Sequence, residues 1–454
     1  MPADVVLPYF PAFEVKNLPC TRMHHLKKQA PILLFALLCI VASISQWPGE
    51  HARILLALGC LSLVVIPLDT LLLKKEINLN STLAKRTLQG IALGLSLVLR
   101  FVFFDFESGD YTGNVRMWYE TLDQGGFMAL KESFHGYPPI YLYFVWIATL
   151  LPLPPLWAIK LFSVAFDYVM AYFAFRIMKL RWSNFRAFVG AMCILLFPTV
   201  LTNSAMWAQL DSMHTAMLMA SLYYFMVDKG NKAMWAFAFA FIFKFQTVFF
   251  ILIPLVAYLR GKIELKHFLY VPLVFFLMVL PNWIIGRPLI EMLLIYGLQA
   301  KTFGMLTQFA PNVWQFFAWA PVDLFSRFAT LFTLSLIALF VLWVYFKKPK
   351  LSTEFWLDTA LLSTLLIPFF MPFMHDRYFY PADVLAIVFA FYRPKYFWVG
   401  LLVGLSSFGT YLYFLIGGLE IFPMKFFALG MLIALIGVSK HYVQTYIFPL
   451  PKHD

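Results

Sequence analysis

Apolar runs close to the length of a bilayer crossing recur from end to end of this chain, each closed by a short polar or basic stretch. About 20 predominantly apolar residues are what one helix needs to cross the hydrocarbon core. The pattern predicts an all-α polytopic bundle with spans at 31–47, 53–73, 86–104, 156–178, 187–203, 212–227, 267–285, 324–346, 354–372, 380–392, 396–416 and 421–439. Residues 233–259 are too short for two full crossings yet lie between basic loops. A hairpin of two short or broken helices is expected there, with Lys244 and Gln246 near its tip. Counting that hairpin, the chain makes about 14 crossings. The segment 140–151 sits between Pro138-Pro139 and Pro152. As a helix it would cover only about 18 Å, so it is expected to lie along the interface rather than to cross.

Composition agrees with the pattern: 62% of residues are hydrophobic and 13% charged, and the mean hydropathy is +0.77. No soluble domain buries such an excess of apolar surface. The first run lacks a small-residue cleavage site and is followed by further spans, so it reads as an uncleaved helix rather than a signal peptide. The net charge of +12 does not point to nucleic acid, because the bases fall in short loops between apolar runs. These loops are Lys74-Lys75 to Arg86, Lys179 to Arg186, Lys229 to Lys232, Arg260 to Lys266, Lys347 to Lys350 and Arg393 to Lys395. The positive-inside rule assigns them to the cytoplasm, with both termini, and leaves the long loops 105–155 and 286–323 outside. Cys20, Cys39, Cys60 and Cys193 form no CxxC pair, so neither a disulfide framework nor a zinc site is suggested. No internal repeat is visible.

Four polar groups interrupt the apolar pattern on that outer side: Ser108-Gly109-Asp110-Tyr111, Gln209-Leu210-Asp211, the Lys244/Gln246 tip and His375-Asp376-Arg377. Charge at the mouth of a span is costly and marks a functional candidate. A carboxylate can act as general base toward a hydroxyl, and arginine, lysine and histidine can hold a phosphate and stabilise it as it leaves. Outer-face chemistry has no nucleotide to draw on, so an activated lipid-phosphate donor suits such a site. Each group has a structural reading too. Asp110 and Asp211 fit as helix caps, Lys244 as a snorkelling side chain and Arg377 as an interfacial anchor. Asp167 is expected to pair with Lys160 or a neighbouring helix, and Asp358 and Asp383 to be structural. His135 and His214 have no assignment. Two other functional classes fit a polytopic chain: a secondary transporter or flippase, and a phosphotransferase or ligase using a polyprenyl-diphosphate donor. One-sided clusters without a repeat disfavour the transporter.

In order along the chain, these residues resemble the GT-C superfamily of integral-membrane glycosyltransferases. The nearest likeness is to prokaryotic relatives of the GPI mannosyltransferases, and the chain is also similar to dolichyl-phosphate-glucose glucosyltransferases. Gly109-Asp110-Tyr111 with Arg116-Met117-Trp118 resembles the family's first outer loop, whose aspartate is taken as the catalytic base. Tyr137-Pro138-Pro139 resembles the start of its second juxtamembrane helix, Asp167 an aspartate of the next span, and Trp207-Ala208-Gln209-Leu210-Asp211 a glutamine-centred turn. Phe243-Lys244-Phe245-Gln246 resembles a lysine–glutamine hairpin tip. Pro281-Asn282 to Gly286-Arg287-Pro288, then Tyr296, Gln299 and Ala310-Pro311-Asn312, resemble the second long outer loop. His375-Asp376-Arg377-Tyr378 resembles a motif thought to meet the donor phosphate. Gly136 stands where glucosyltransferase relatives carry an acid, and Asp211 where they carry asparagine, so sugar and acceptor do not transfer with the likeness.

The resemblance implies a multi-pass integral-membrane hexosyltransferase of mannose or glucose type, in the plasma membrane for a prokaryotic source, active at the outer face in polysaccharide biosynthesis. It would move a sugar, with inversion, from a polyprenyl phosphate to a lipid-linked or cell-surface glycan. Asp110 is the implied base, with Arg377, His375 and Lys244 as donor-phosphate residues. Gln209, Asp211, Tyr111, Trp118, Gln246 and Asp376 would bind sugar or acceptor. No cofactor is implied, although paired acids at Asp110 and Asp211 leave a metal open. A monomer among membrane lipids is expected. Residues 1–85 read as a cytoplasmic segment and an added hairpin, 86–260 as the family-like module, and 261–454 as a variable C-terminal module.

Overall fold

The computed structural model describes residues 82–134, 137–297, 304–416 and 422–448, so the hairpin expected at 31–73, together with His135 and Gly136, lies outside them. The described residues belong to one compact unit, Leu71–Asp454. Helix α1 runs Thr82–Phe101. The first long loop holds two short helices, α2 (Arg116–Gly125) and α3 (Pro139–Thr149). Then come α4 (Pro155–Met178), α5 (Asn184–Leu195), α6 (Pro198–Leu201), α7 (Asp211–Met226), α8 (Gly230–Phe243), α9 (Leu252–Leu259) and α10 (Tyr270–Ile284). The second long loop holds α11 (Leu289–Leu293) and the strand β1 (Thr307–Gln308). The last helices are α12 (Val322–Lys347), α13 (Thr353–Phe370), α14 (Tyr380–Tyr392), α15 (Phe397–Leu415) and α16 (Met424–Tyr442). A second strand, β2 (Met374–His375), lies between α13 and α14 and pairs in parallel with β1.

Proline places several boundaries, because it tolerates the first helical turn but not the interior. It opens α3, α4 and α6. The run expected as one span at 187–203 is instead α5 and a second helical piece, Pro198–Met206, bent by 56°. Phe197 before Pro198 is extended (φ −67°, ψ 134°), as the ring of a following proline demands. The short hairpin at 233–259 is broken as expected: α8 stops at Phe243, Lys244 is extended (φ −157°, ψ 133°), and a 3₁₀ turn leads into α9.

Five helices among the described residues are long and apolar enough to cross a membrane: Pro155–Met178, Leu265–Ile284, Val322–Lys347, Pro394–Leu415 and Met424–Ile447, or six with the bent pair. Of the other expected spans, α7 and α14 are the short ones. At 1.5 Å per residue, the 16 residues of α7 cover about 24 Å and the 13 of α14 about 20 Å, against a hydrocarbon core of about 30 Å. These two helices and α13 are nearly all buried by protein, whereas α12 exposes Leu324, Phe328, Leu331 and Leu339. The main core is built from α4, α5, α7–α9 and α13–α16. A second apolar cluster seats the first long loop, through Tyr111, Trp118, Leu122 and Leu142, on Ala208, Leu210 and Met213.

Candidate active site

The turn between α6 and α7 is the foundation of the site. A π-turn, Thr202–Met206, ends the bent helix, and Ala208 follows in the left-handed region at φ 63°. That conformation disfavours side chains other than glycine and recurs at functional sites. It folds Gln209 back, so that its N–H donates to the Asn203 carbonyl at 2.9 Å. The first long loop is pinned to this turn by Ser108, whose hydroxyl donates to the Trp207 carbonyl at 2.8 Å and accepts from the Tyr111 N–H at 3.2 Å.

Asp110 then meets the turn. Its Oδ2 accepts from Trp207 Nε1 at 2.9 Å, Gln209 Nε2 at 2.6 Å and Arg377 Nη1 at 3.2 Å. Among the described residues no hydrogen bond falls on Oδ1, and the Asp110 side chain is 40% exposed. Asp110 makes no side-chain capping bond to the π-turn after it, which removes the cap reading. Asp211 is the first residue of α7, not its cap; its carboxylate accepts from Asn203 Nδ2 at 2.9 Å and forms an ion pair with Lys244.

Arg377 stands between the two aspartates. Its Nε lies 3.8 Å from Asp211 Oδ2, its Nη1 lies 3.9 Å from Asp376 Oδ1, and its guanidinium covers the Trp207 ring at 5.0 Å. Burial alone would lower the Arg377 pKa, but the carboxylates of Asp110, Asp376 and Asp211 outweigh it and raise it above its ordinary value. Asp376 is fully buried and fixes the 375–377 turn: it accepts from the Arg377 N–H at 2.9 Å and contacts His375 Nδ1. Lys244 completes the cluster 5.5 Å over the Tyr378 ring, and Gln246 reaches the same tyrosine.

Sequence segments up to 267 residues apart thus meet at one place: Asp110, Gln209, Asp211, Lys244, Gln246, His375, Asp376 and Arg377. Trp118 and Tyr111 do not join them directly. Trp118 is buried behind Tyr137, ring centroids 4.6 Å apart, and burial pushes the Tyr137 phenol up to about 12. Tyr111 turns its ring toward Arg116 and a separate cavity. Sequence reasoning passes over Asn203 and gives Ser108 and Trp207 only places in motifs. A buried asparagine in an apolar run was the one available signal for Asn203; the role of Ser108 depends on a carbonyl 99 positions away. Lys160 does not pair with Asp167. It donates to the carbonyls of Phe103 at 2.9 Å, Phe104 at 3.0 Å and Phe106 at 2.7 Å, while Asp167 pairs with Arg100 at 3.0 Å.

No metal-ligating group of three or more His, Cys, Asp or Glu side chains occurs among the described residues. Arg377 lies between Asp110 and Asp211 and pairs with both. No family model, curated protein or solved structure matches this chain.

Proposed function

We propose that this chain is an inverting glycosyltransferase of the GT-C type that moves a hexose from a polyprenyl-phosphate donor to a glycan acceptor at the outer membrane face. The observation that carries the reading is Arg377, held between Asp110 and Asp211 with Lys244 alongside. A base and a phosphate cradle are then neighbours, as an in-line displacement at a sugar carbon requires. Three donors on Oδ2 fix the plane of the Asp110 carboxylate and leave Oδ1 for the acceptor hydroxyl. In the reaction that hydroxyl attacks the anomeric carbon, its proton passes to Asp110, and the bond from that carbon to the phosphate oxygen breaks. Arg377 and Lys244 stabilise the charge on the departing lipid phosphate, with His375 beside them. Gln209, Asp211 and Gln246 orient the sugar. In this reading the short buried helices pair across the bundle interior to complete about 14 crossings, and the basic loops are cytoplasmic.

The test is Asp110→Asn, assayed for transfer from a defined polyprenyl-phosphate hexose in detergent with thermal stability followed in parallel. Asparagine keeps an acceptor oxygen for Trp207, Gln209 and Arg377 but not the charge. A loss of about 10²–10⁴-fold with the fold retained is expected. A stable Asp110→Asn protein with near-normal turnover would rule out the general base.

A further inference from the structure

A cavity of about 510 Å³ lies outside the charged cluster, within the size range of small-ligand sites, about 300–1,000 Å³. It lies between the first long loop and the start of α4 and shares a wall residue, Tyr111, with the segment that carries Asp110. Aromatic rings from Tyr111, Tyr119 and Trp157 line it. Its polar groups are the carboxylates of Asp105, Glu107, Glu120 and Asp123, against a single guanidinium, Arg116.

These side chains are arranged rather than scattered. Trp157 Nε1 donates to Asp105 Oδ1 at 2.8 Å, which sets the indole plane. Arg116 pairs with Glu107 and lies 5.1 Å over the Tyr111 ring, so its charge is largely answered within the cavity wall. Tyr111 and Tyr119 are buried, 3% and 7% exposed, and form a fixed backing. Flat aromatic faces accept the C–H face of a pyranose, and carboxylates accept from its hydroxyls; together they recognise carbohydrate. Three negative charges in excess disfavour any ligand that is itself anionic.

Resting on the glycosyltransferase reading, we propose that this cavity is the acceptor subsite and that it takes the uncharged, non-reducing end of a hexose oligosaccharide. A saccharide seated against Trp157 sits beside Tyr111, the residue next to Asp110 in the chain. Donor and acceptor then have separate cradles, one basic and one acidic, and a phosphate on a lipid-linked acceptor must lie outside the acidic one. The charge contrast keeps the donor phosphate from the acceptor position, which is a specificity device as well as a binding one.

Mannotriose and trigalacturonate serve as probes, with binding to the purified full chain followed by saturation-transfer NMR. Mannotriose should bind and trigalacturonate should not. Trp157→Ala should weaken mannotriose by about 3- to 10-fold, the loss of one aromatic face. The double change Glu120→Lys with Asp123→Lys alters exposed side chains, so it should fold, and it should admit trigalacturonate. In a transfer assay these variants should raise the acceptor KM and leave the donor KM unchanged. Absent mannotriose binding, or binding indifferent to both sets of variants, overturns the subsite. Wild-type chain that transfers sugar while the variants keep the acceptor KM overturns the subsite alone. Wild-type chain that binds mannotriose but transfers nothing counts against the enzymatic reading and leaves the saccharide site standing.

Discussion

Arg377 has more carboxylates around it than any single ion pair requires. It meets Asp110 at 3.2 Å, Asp211 at 3.8 Å and Asp376 at 3.9 Å while its side chain is only 13% exposed. Only a planar guanidinium, with donors on separate edges, can serve acids on different sides at once. A phosphate arriving beside it would compete for those same donors, and the exchange would free Asp110 for the acceptor. Arg377→Lys should therefore lose part of the turnover and Arg377→Ala about 10²–10³-fold, as for removal of a positioned charge donor. The donor KM should rise with each. Turnover of Arg377→Ala equal to wild type, with a purified polyprenyl-phosphate donor, would remove the arginine from the chemistry.

At the scale of elements, strain and buried charge hold the cluster in place. Ala208 (φ 63°), Phe309 (φ 58°) and Phe373 (φ 62°) adopt left-handed backbone at the α6–α7 turn, beside β1 and before β2. Such residues cost about 1–3 kcal/mol each and persist where neighbours over-determine them. Ala208→Gly should leave stability unchanged or slightly raised, because glycine tolerates positive φ. Ala208→Val should lower stability and scatter Gln209 and Trp207 away from Asp110; circular-dichroism melts with parallel turnover would show it. The Arg100–Asp167 pair joins α1 to α4 where both side chains are fully buried, and Ser204 donates to the same carboxylate at 2.5 Å. Removing one partner leaves a buried charge alone, so Asp167→Ala should cost about 3–5 kcal/mol, and Arg100→Met with Asp167→Leu should recover much of it. If Asp167→Ala instead melts like wild type while turnover collapses, Asp167 has a part in the chemistry that its contacts do not reveal.

For the whole molecule the outstanding quantity is sidedness. Under the positive-inside rule we propose that 105–155 and 286–323 are external and the 347–350 loop cytoplasmic. In a chain stripped of its native cysteines, Gln124→Cys and Met305→Cys should react with an impermeant thiol reagent in intact cells, and Lys348→Cys should react only after permeabilisation. Labelling of Lys348→Cys alone in intact cells would invert the chain and put the charged cluster on the cytoplasmic side, within reach of nucleotide donors. The exposed apolar face of α12 and the largely buried polar cluster at the ends of α7, α8 and α14 are then two sides of one partition. Leucine and phenylalanine form a face of the kind that suits lipid, and most of the charge is buried by protein.

Read alone, the sequence determines what depends on local pattern. Apolar run length places α1, α4, α10, α12, α13 and α16 to within a few residues, and proline marks the starts of α3 and α4. The break after Phe243 follows from a run too short for two crossings. Most of the charged cluster is legible too, because Asp110, Asp211, Lys244 and Arg377 sit in apolar surroundings where charge is expensive. What pairs with what is not legible. The 56° bend at Pro198, the left-handed Ala208, the two-residue ladder that ties the second loop to His375, and the Ser108 and Asn203 hydrogen bonds are decided by tertiary contact. A hydrogen bond of about 3 Å depends on backbone positions that no local periodicity encodes. Tyr111 shows the limit most clearly. One position from Asp110, it lines a cavity that Asp110 does not, because adjacent side chains of a helical turn leave on different faces.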